Sequence, residues 1–124
     1  MNKFKSIDES KIKKVDGITK SIAKDIHILF SRRRYGAGAI VFRTFLLHIA
    51  YDYDMDVNVY GVFEKVVDYI INNMNILDSS SKDELSSIKE WCNNATHDVE
   101  HYGVTEEQAL SIWSWVIALI EWNY

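Results

Sequence analysis

The sequence predicts an all-α, single-domain helical bundle of about five helices, and three observations carry that prediction. Its 124 residues include no proline and only five glycines, so little interrupts a helical run. Apolar residues recur every three or four positions in successive segments instead of alternating. Capping-box spacing, a Ser or Thr followed three residues later by Glu or Gln, precedes apolar periodic segments at Ser6, Ser81 and Thr105. An apolar fraction of 48% with 13% aromatics suffices for a sizeable core. No internal repeat or linker divides the chain.

The elements follow in order. Ser6-Ile7-Asp8-Glu9 has the first box and predicts a short helix near residues 7–14, broken at Gly17; residues 1–17 read as a basic N-terminal extension and 18–124 as the bundle. A second helix is expected from about Ile18 to Arg33, with Ile18, Ile22, Ile26, Leu29 and Phe30 on its inward face. Residues 37–53 are apolar nearly all round, which predicts a central buried helix whose small residues at the start allow close backbone approach. Another helix, roughly 59–75, carries Val62, Phe63, Val66, Val67, Ile70 and Met74. Ser81-Lys82-Asp83-Glu84 is the second box, opening a helix with Leu85, Ile88, Trp91, Cys92 and Ala95 inward that ends near Asn94 or His97. Thr105-Glu106-Glu107-Gln108 opens a terminal helix bearing Ala109, Ile112, Trp113, Val116, Ile117 and Ile120, with Trp115 and Trp122 on other faces. That is more apolar surface than one contact face needs, which predicts an enclosed position or a subunit interface.

Charge is divided along the chain. Residues 1–43 carry eleven basic and four acidic side chains, a net of +7, and the other 81 carry three basic and fourteen acidic, a net of −11. Such a division suits a nucleic-acid surface, two faces that meet in a dimer, or solvated helices. Lysines at the N-terminus are followed by no apolar run, and the longest apolar stretches are interrupted by Arg43, His48 or Glu121, so neither secretion nor a membrane partner is expected. A single cysteine, Cys92, makes no internal disulfide, which leaves a cytoplasmic location as the expectation.

Few motifs carry chemistry. Asp52, Asp54, Asp56 and Asn58 alternate like calcium ligands, but Val57 stands where the loop needs Gly and Phe63 where it needs Glu, so a polar helix terminus is the better reading. His97 and His101 are four apart, with Asp98 and Glu100 between; two imidazoles before a loop at Gly103 make a weak zinc signal, and no metal or other cofactor is expected. Cys92 lies on an inward face, where a thiol is inert. Arg32, Arg33 and Arg34 form the strongest basic cluster, read either as cations complementing a helix C-terminus or as a nucleic-acid contact.

Three blocks then stand in order: Tyr35-Gly36-Ala37-Gly38-Ala39-Ile40-Val41-Phe42-Arg43-Thr44-Phe45-Leu46, Ile88-Lys89-Glu90-Trp91-Cys92-Asn93-Asn94-Ala95-Thr96-His97, and Val104-Thr105-Glu106-Glu107-Gln108-Ala109. Together they resemble the HEPN superfamily, the higher eukaryotes and prokaryotes nucleotide-binding domains, in particular a domain-of-unknown-function branch fused to restriction and phage-defence proteins. The similarity covers about residues 18–124. The resemblance implies a helical bundle that forms a homodimer and, in active members, a metal-independent endoribonuclease. In those an Arg four to six residues before a helix-terminal His binds the scissile phosphate, the His assists proton transfer, and a polar neighbour supports the site. The supporting residue maps to Asn93 and the histidine to His97, but the arginine position is Cys92, which cannot replace a guanidinium. The implied protein is therefore a catalytically degenerate module that dimerises and binds RNA, another nucleic acid or a protein partner in phage defence or counter-defence. An active ribonuclease with Arg43 as a relocated arginine, and a protein–protein adaptor that binds no nucleic acid, are the alternatives. Arg43 and His48 also have the Arg-to-His spacing, but they do not share a helix face.

Overall fold

The computed structural model describes residues 2–12, 15–55, 63–73, 79–97 and 103–121. Five α-helices and no strand are found among them: α1 (Gly17–Ser31), α2 (Tyr35–Asp52), α3 (Phe63–Asn73), α4 (Ser79–His97) and α5 (Glu106–Ile120). The all-α bundle follows from the sequence pattern as expected, and no described helix is long and apolar enough to cross a membrane.

α1 begins at Asp16, whose carboxylate accepts from the Thr19 backbone N–H at 2.9 Å and satisfies one of the unpaired donors of the first turn. Its buried residues are Thr19, Ala23, Ile26 and Phe30. The inward face is thus centred one residue away from the expected one. Ile18, expected inside, is 59% exposed, because a step of one residue turns a side chain about 100° round the helix. α1 ends where Arg33 enters the left-handed region at φ 62°. The Arg34 N–H then donates to the Leu29 carbonyl at 2.8 Å and the Arg33 N–H to that of Phe30 at 3.0 Å, a Schellman ending that lets α2 start at once. A side chain in that conformation costs about 1–2 kcal/mol, so Arg33 occupies a position where glycine is usual.

α2 occupies the centre and touches each of the other four helices. Gly38, Ala39, Phe42, Phe45, Leu46, Ile49 and Ala50 are buried. It is not enclosed all round as its composition suggested: Ile40 and Tyr51 reach solvent, because one side of the helix lies outside the core. Gly38 is small for a specific reason. A Cβ there would lie 2.2 Å from a Phe30 ring carbon, so α1 and α2 approach closely by seating the phenyl ring on bare backbone. α2 ends as α1 does, with Asp54 at φ 50° and the Met55 N–H donating to the Ala50 carbonyl at 3.0 Å.

α3 buries Phe63, Val66, Val67 and Ile70, while the expected contributions of Val62 and Met74 lie outside the described residues. α4 turns Leu85, Ile88, Cys92 and Ala95 inward. It starts earlier than expected, at Ser79, so Ser81 and Glu84 lie inside the helix and do not form its opening box. In α5 the expected box forms: Thr105 Oγ1 accepts from the Gln108 N–H at 3.1 Å, and the Thr105 N–H donates to Gln108 Oε1 at 3.2 Å. Trp115, expected on another face, is buried with Trp113, so α5 is largely enclosed; Trp122 lies outside the described residues.

Among its described residues the N-terminal segment forms no α-helix over 7–12. Asp8, not Ser6, caps a 3-10 turn, Glu9–Lys11, by accepting from the Ser10 N–H at 3.1 Å and the Ser10 hydroxyl at 2.6 Å. Ile12 is already extended, which stops the turn; residues 13 and 14 lie outside the description. The segment is bound to the bundle: the Phe4 ring lies 5.3 Å from Phe30, the Trp113 indole N–H donates to the Lys5 carbonyl at 2.9 Å, and His27 Nε2 meets the Phe4 carbonyl at 2.8 Å.

Two neighbouring glycines give a test of this geometry. Gly36→Ala meets nothing within 4 Å and should stabilise the helix by roughly 0.5–1 kcal/mol through propensity alone. Gly38→Ala gains the same propensity but drives a methyl into Phe30, and a net loss of roughly 2 kcal/mol is expected, as in overpacked cores. Urea unfolding of the two variants beside wild type measures both.

Candidate functional site

The one place where sequence-predicted polar residues converge is the crossing of α2 with the last turns of α4. Positions 92 and 96 of α4 are one turn apart on its inner side, and 93 and 97 form the adjoining row. From α2, Arg43 extends across this crossing, and its Nη1 donates to Thr96 Oγ1 at 3.2 Å. The Thr96 hydroxyl in turn donates to the Cys92 carbonyl one turn earlier at 2.9 Å, which orients its lone pairs toward the guanidinium. On its other side, the Arg43 guanidinium carbon lies 5.2 Å from the centre of the Phe63 ring at the start of α3. Arg43 is half-buried.

No ion pair with a carboxylate involves Arg43 among the described residues. Its Nε and the nearby-row Asn93 Oδ1 are buried and have no hydrogen-bond partner there. An unmet buried polar atom costs about 1–3 kcal/mol, so this corner is polar beyond what stability asks of it. His97 closes α4 and is exposed. Arg43 thus reaches the residue next to His97. Its own-helix neighbour His48 lies elsewhere, lining a surface cavity with Asp16, Ile18, Leu47 and Tyr51.

Cys92 stands where the resemblance expected arginine. It is fully buried, and burial pushes its thiol up from an ordinary 9.0 to about 12, while the Arg43 charge acts the other way. That thiol is not a nucleophile at neutral pH. Through Thr96, whose hydroxyl binds both the Arg43 guanidinium and the Cys92 carbonyl, Arg43 stands one hydrogen-bonded residue from the position where the resemblance expected arginine. Thr96 and Phe63 hold Arg43 in place, and sequence reasoning gave neither a role there. The available signal was Thr96 standing four residues after Cys92 on the same helical row.

Other candidates separate from this corner. Arg32, Arg33 and Arg34 are exposed in the α1–α2 turn, about 13 Å along α2 from Arg43 by helical rise. Asp52 is engaged as a tertiary cap: its carboxylate accepts from the Thr19 hydroxyl at 2.6 Å and the Asp16 N–H at 3.3 Å. Asp54 ends α2, so these two carboxylates belong to a helix terminus; Asp56 and Asn58 lie outside the described residues. The same holds for Asp98, Glu100 and His101, and no cluster of three metal-ligating side chains is found among the described residues.

No protein-family model, no curated protein and no solved structure matches this chain.

The state of Cys92 has a measurable consequence. Its pKa is raised on folding, so the folded chain keeps a proton that the unfolded chain has already lost. This contribution to stability is complete below pH 9.0 and is lost as pH rises toward about 12. Unfolding free energy measured against pH should fall over that window, with a slope of about 1.4 kcal/mol per pH unit from this group, and Cys92→Ala should remove that component. At pH 8 an aromatic disulfide reagent should label native Cys92 only at the rate of global opening.

Proposed function

We propose that the chain is a HEPN-like module that binds the phosphate backbone of RNA at the Arg43–His97 corner and does not cleave it efficiently. One observation carries this reading: a half-buried guanidinium with no carboxylate partner among the described residues is held by a hydroxyl and a ring beside an exposed imidazole. A cation so placed suits an anion, and a phosphate diester is one that a guanidinium can grip through two hydrogen bonds. Thr96 and Phe63 position Arg43 without neutralising it.

Reduced cleavage follows from the same arrangement. The guanidinium comes from a neighbouring helix through a half-buried side chain, so its approach to a phosphate differs from that of an arginine on α4 itself, and phosphoryl chemistry is sensitive to shifts of about 1 Å. The approach of Arg43 to Thr96 also favours a second reading, residual metal-independent cleavage with His97 moving the proton and Arg43 holding the phosphate.

Anisotropy of a labelled single-stranded RNA, with gel analysis of the same samples in excess chelator, tests both. Binding is expected to weaken with salt between about 50 and 200 mM. Arg43→Ala should lose roughly tenfold or more in affinity, the value of a charge-assisted contact, with Arg43→Lys in between. Intact RNA throughout is expected. Unchanged affinity in Arg43→Ala, with its helicity and unfolding midpoint retained, rejects the binding corner. Chelator-resistant cleavage that His97→Ala abolishes replaces the first reading with the second.

A further inference from the structure

Where the N-terminal segment crosses the turn between α1 and α2, the surface holds a cavity of about 600 Å³, within the roughly 300–1,000 Å³ of small-molecule sites. Its apolar wall is aromatic. The Phe4 ring lies 5.3 Å from that of Phe30 and 6.2 Å from that of Tyr35, and the Phe30 and Tyr35 rings are 6.3 Å apart. The polar lining comes from Asn2, Lys3, Ser31, Arg33 and Glu106. No residue of the Arg43–His97 corner lines this cavity, so either site can fail without the other.

Donors and acceptors decide what the cavity suits. Both ends of the Asn2 amide are engaged: Nδ2 donates to Ser31 Oγ at 2.8 Å, and Oδ1 accepts from the Phe4 N–H at 3.0 Å. Ser31 accepts there, which leaves its own proton to donate. Glu106 is the one carboxylate in the lining, and it is already paired with Lys3 at 3.1 Å. An ammonium has three donors, of which that pair uses one. Arg33 makes no ion pair among the described residues. It also stands in the lining at φ 62°, where glycine is usual. The cavity is therefore rich in unused donors, two of its donor groups are cations, and its single anion is occupied.

We infer that this cavity binds a small ring-bearing oxyanion, an aryl phosphate or an aryl carboxylate. The Arg33 fork and Lys3 hold the charged group, Ser31 adds a neutral donor, and the ring lies against Phe4 and Tyr35. A neutral aromatic leaves the guanidinium unused. A bare oxyanion leaves the aromatic wall in water. A ligand with both parts engages both walls at once.

NMR titration of the full chain without RNA tests the site, with phenyl phosphate and benzoate as its two arms. Inorganic phosphate and acetate supply the anions without a ring, and phenol the ring without a charge. Saturable binding in the millimolar range or tighter is expected for at least one arm, and the tighter arm identifies the anion. No saturation in either arm by about 10 mM overturns the inference, as does a bare anion or phenol that binds as tightly as the better arm. Arg33→Gly removes the cation and relaxes the backbone together, so affinity should fall about tenfold or more while the unfolding midpoint holds or rises. Lost binding in that variant is then not lost fold. Arg32→Ala, in the same turn but outside the lining, should leave affinity unchanged. Full affinity in Arg33→Gly overturns the site, and so does an equal loss in Arg32→Ala, which a diffuse basic surface produces and a built cavity does not.

Discussion

The contact between the Phe30 ring and the bare backbone of Gly38 is the constraint on which the rest of this structure depends. With a Cβ excluded at 2.2 Å from that ring, α2 can pass α1 close enough to lie in the middle of the bundle. The rotation of α2 about its own axis is then set, and consequences follow from helical geometry. Arg43, five residues on, points about 140° away from the Phe30 contact, toward α4. The row that includes Ile40 and Thr44 faces solvent. A single close approach thus assigns one side of α2 to packing, one to a polar corner and one to solvent.

Much of the fold was legible because long periodic segments carry their own evidence. α1, α2 and α5 begin and end within a few residues of the sequence expectation, and the Thr105–Gln108 box forms as its spacing implied. The failures have local causes. Ser6-x-x-Glu9 has the right letters, yet Asp8 is better placed to accept from Ser10, and a competing cap two residues on defeats the box. Ile18 counted as core because it is apolar, but the burial centre of α1 is set by Thr19 and Ala23, small residues that let neighbours in close. Apolar identity says that a side chain can be buried; only the neighbouring helices decide which way the face turns.

The candidate site was half legible. Sequence alone could align Asn93 and His97 with a family pattern and note that Cys92 breaks it, because those residues share one helix. It could not measure whether Arg43, about fifty residues earlier, reaches the same place, since that depends on the α2–α4 crossing. The geometry brings the guanidinium to Thr96 and its charge to bear on the Cys92 thiol. A cation absent from one helix can thus be supplied by another while local spacing reports only the absence. The same limit hid Phe63 and Thr96, whose roles are to hold Arg43 and which carry no catalytic signature of their own.

The charge division along the chain takes a different meaning once folded. Read linearly, +7 in the first 43 residues and −11 in the rest suggested a basic half and an acidic half. The described ion pairs Lys3–Glu106 and Lys24–Glu9 are exposed, so they are screened and contribute little to stability. What remains organised is smaller: Arg32, Arg33 and Arg34 at one end of the α1–α2 hairpin, and Asp16, Asp52 and Asp54 at the other, about the length of α2 apart. Arg33 holds its place in a left-handed conformation that glycine would adopt more readily.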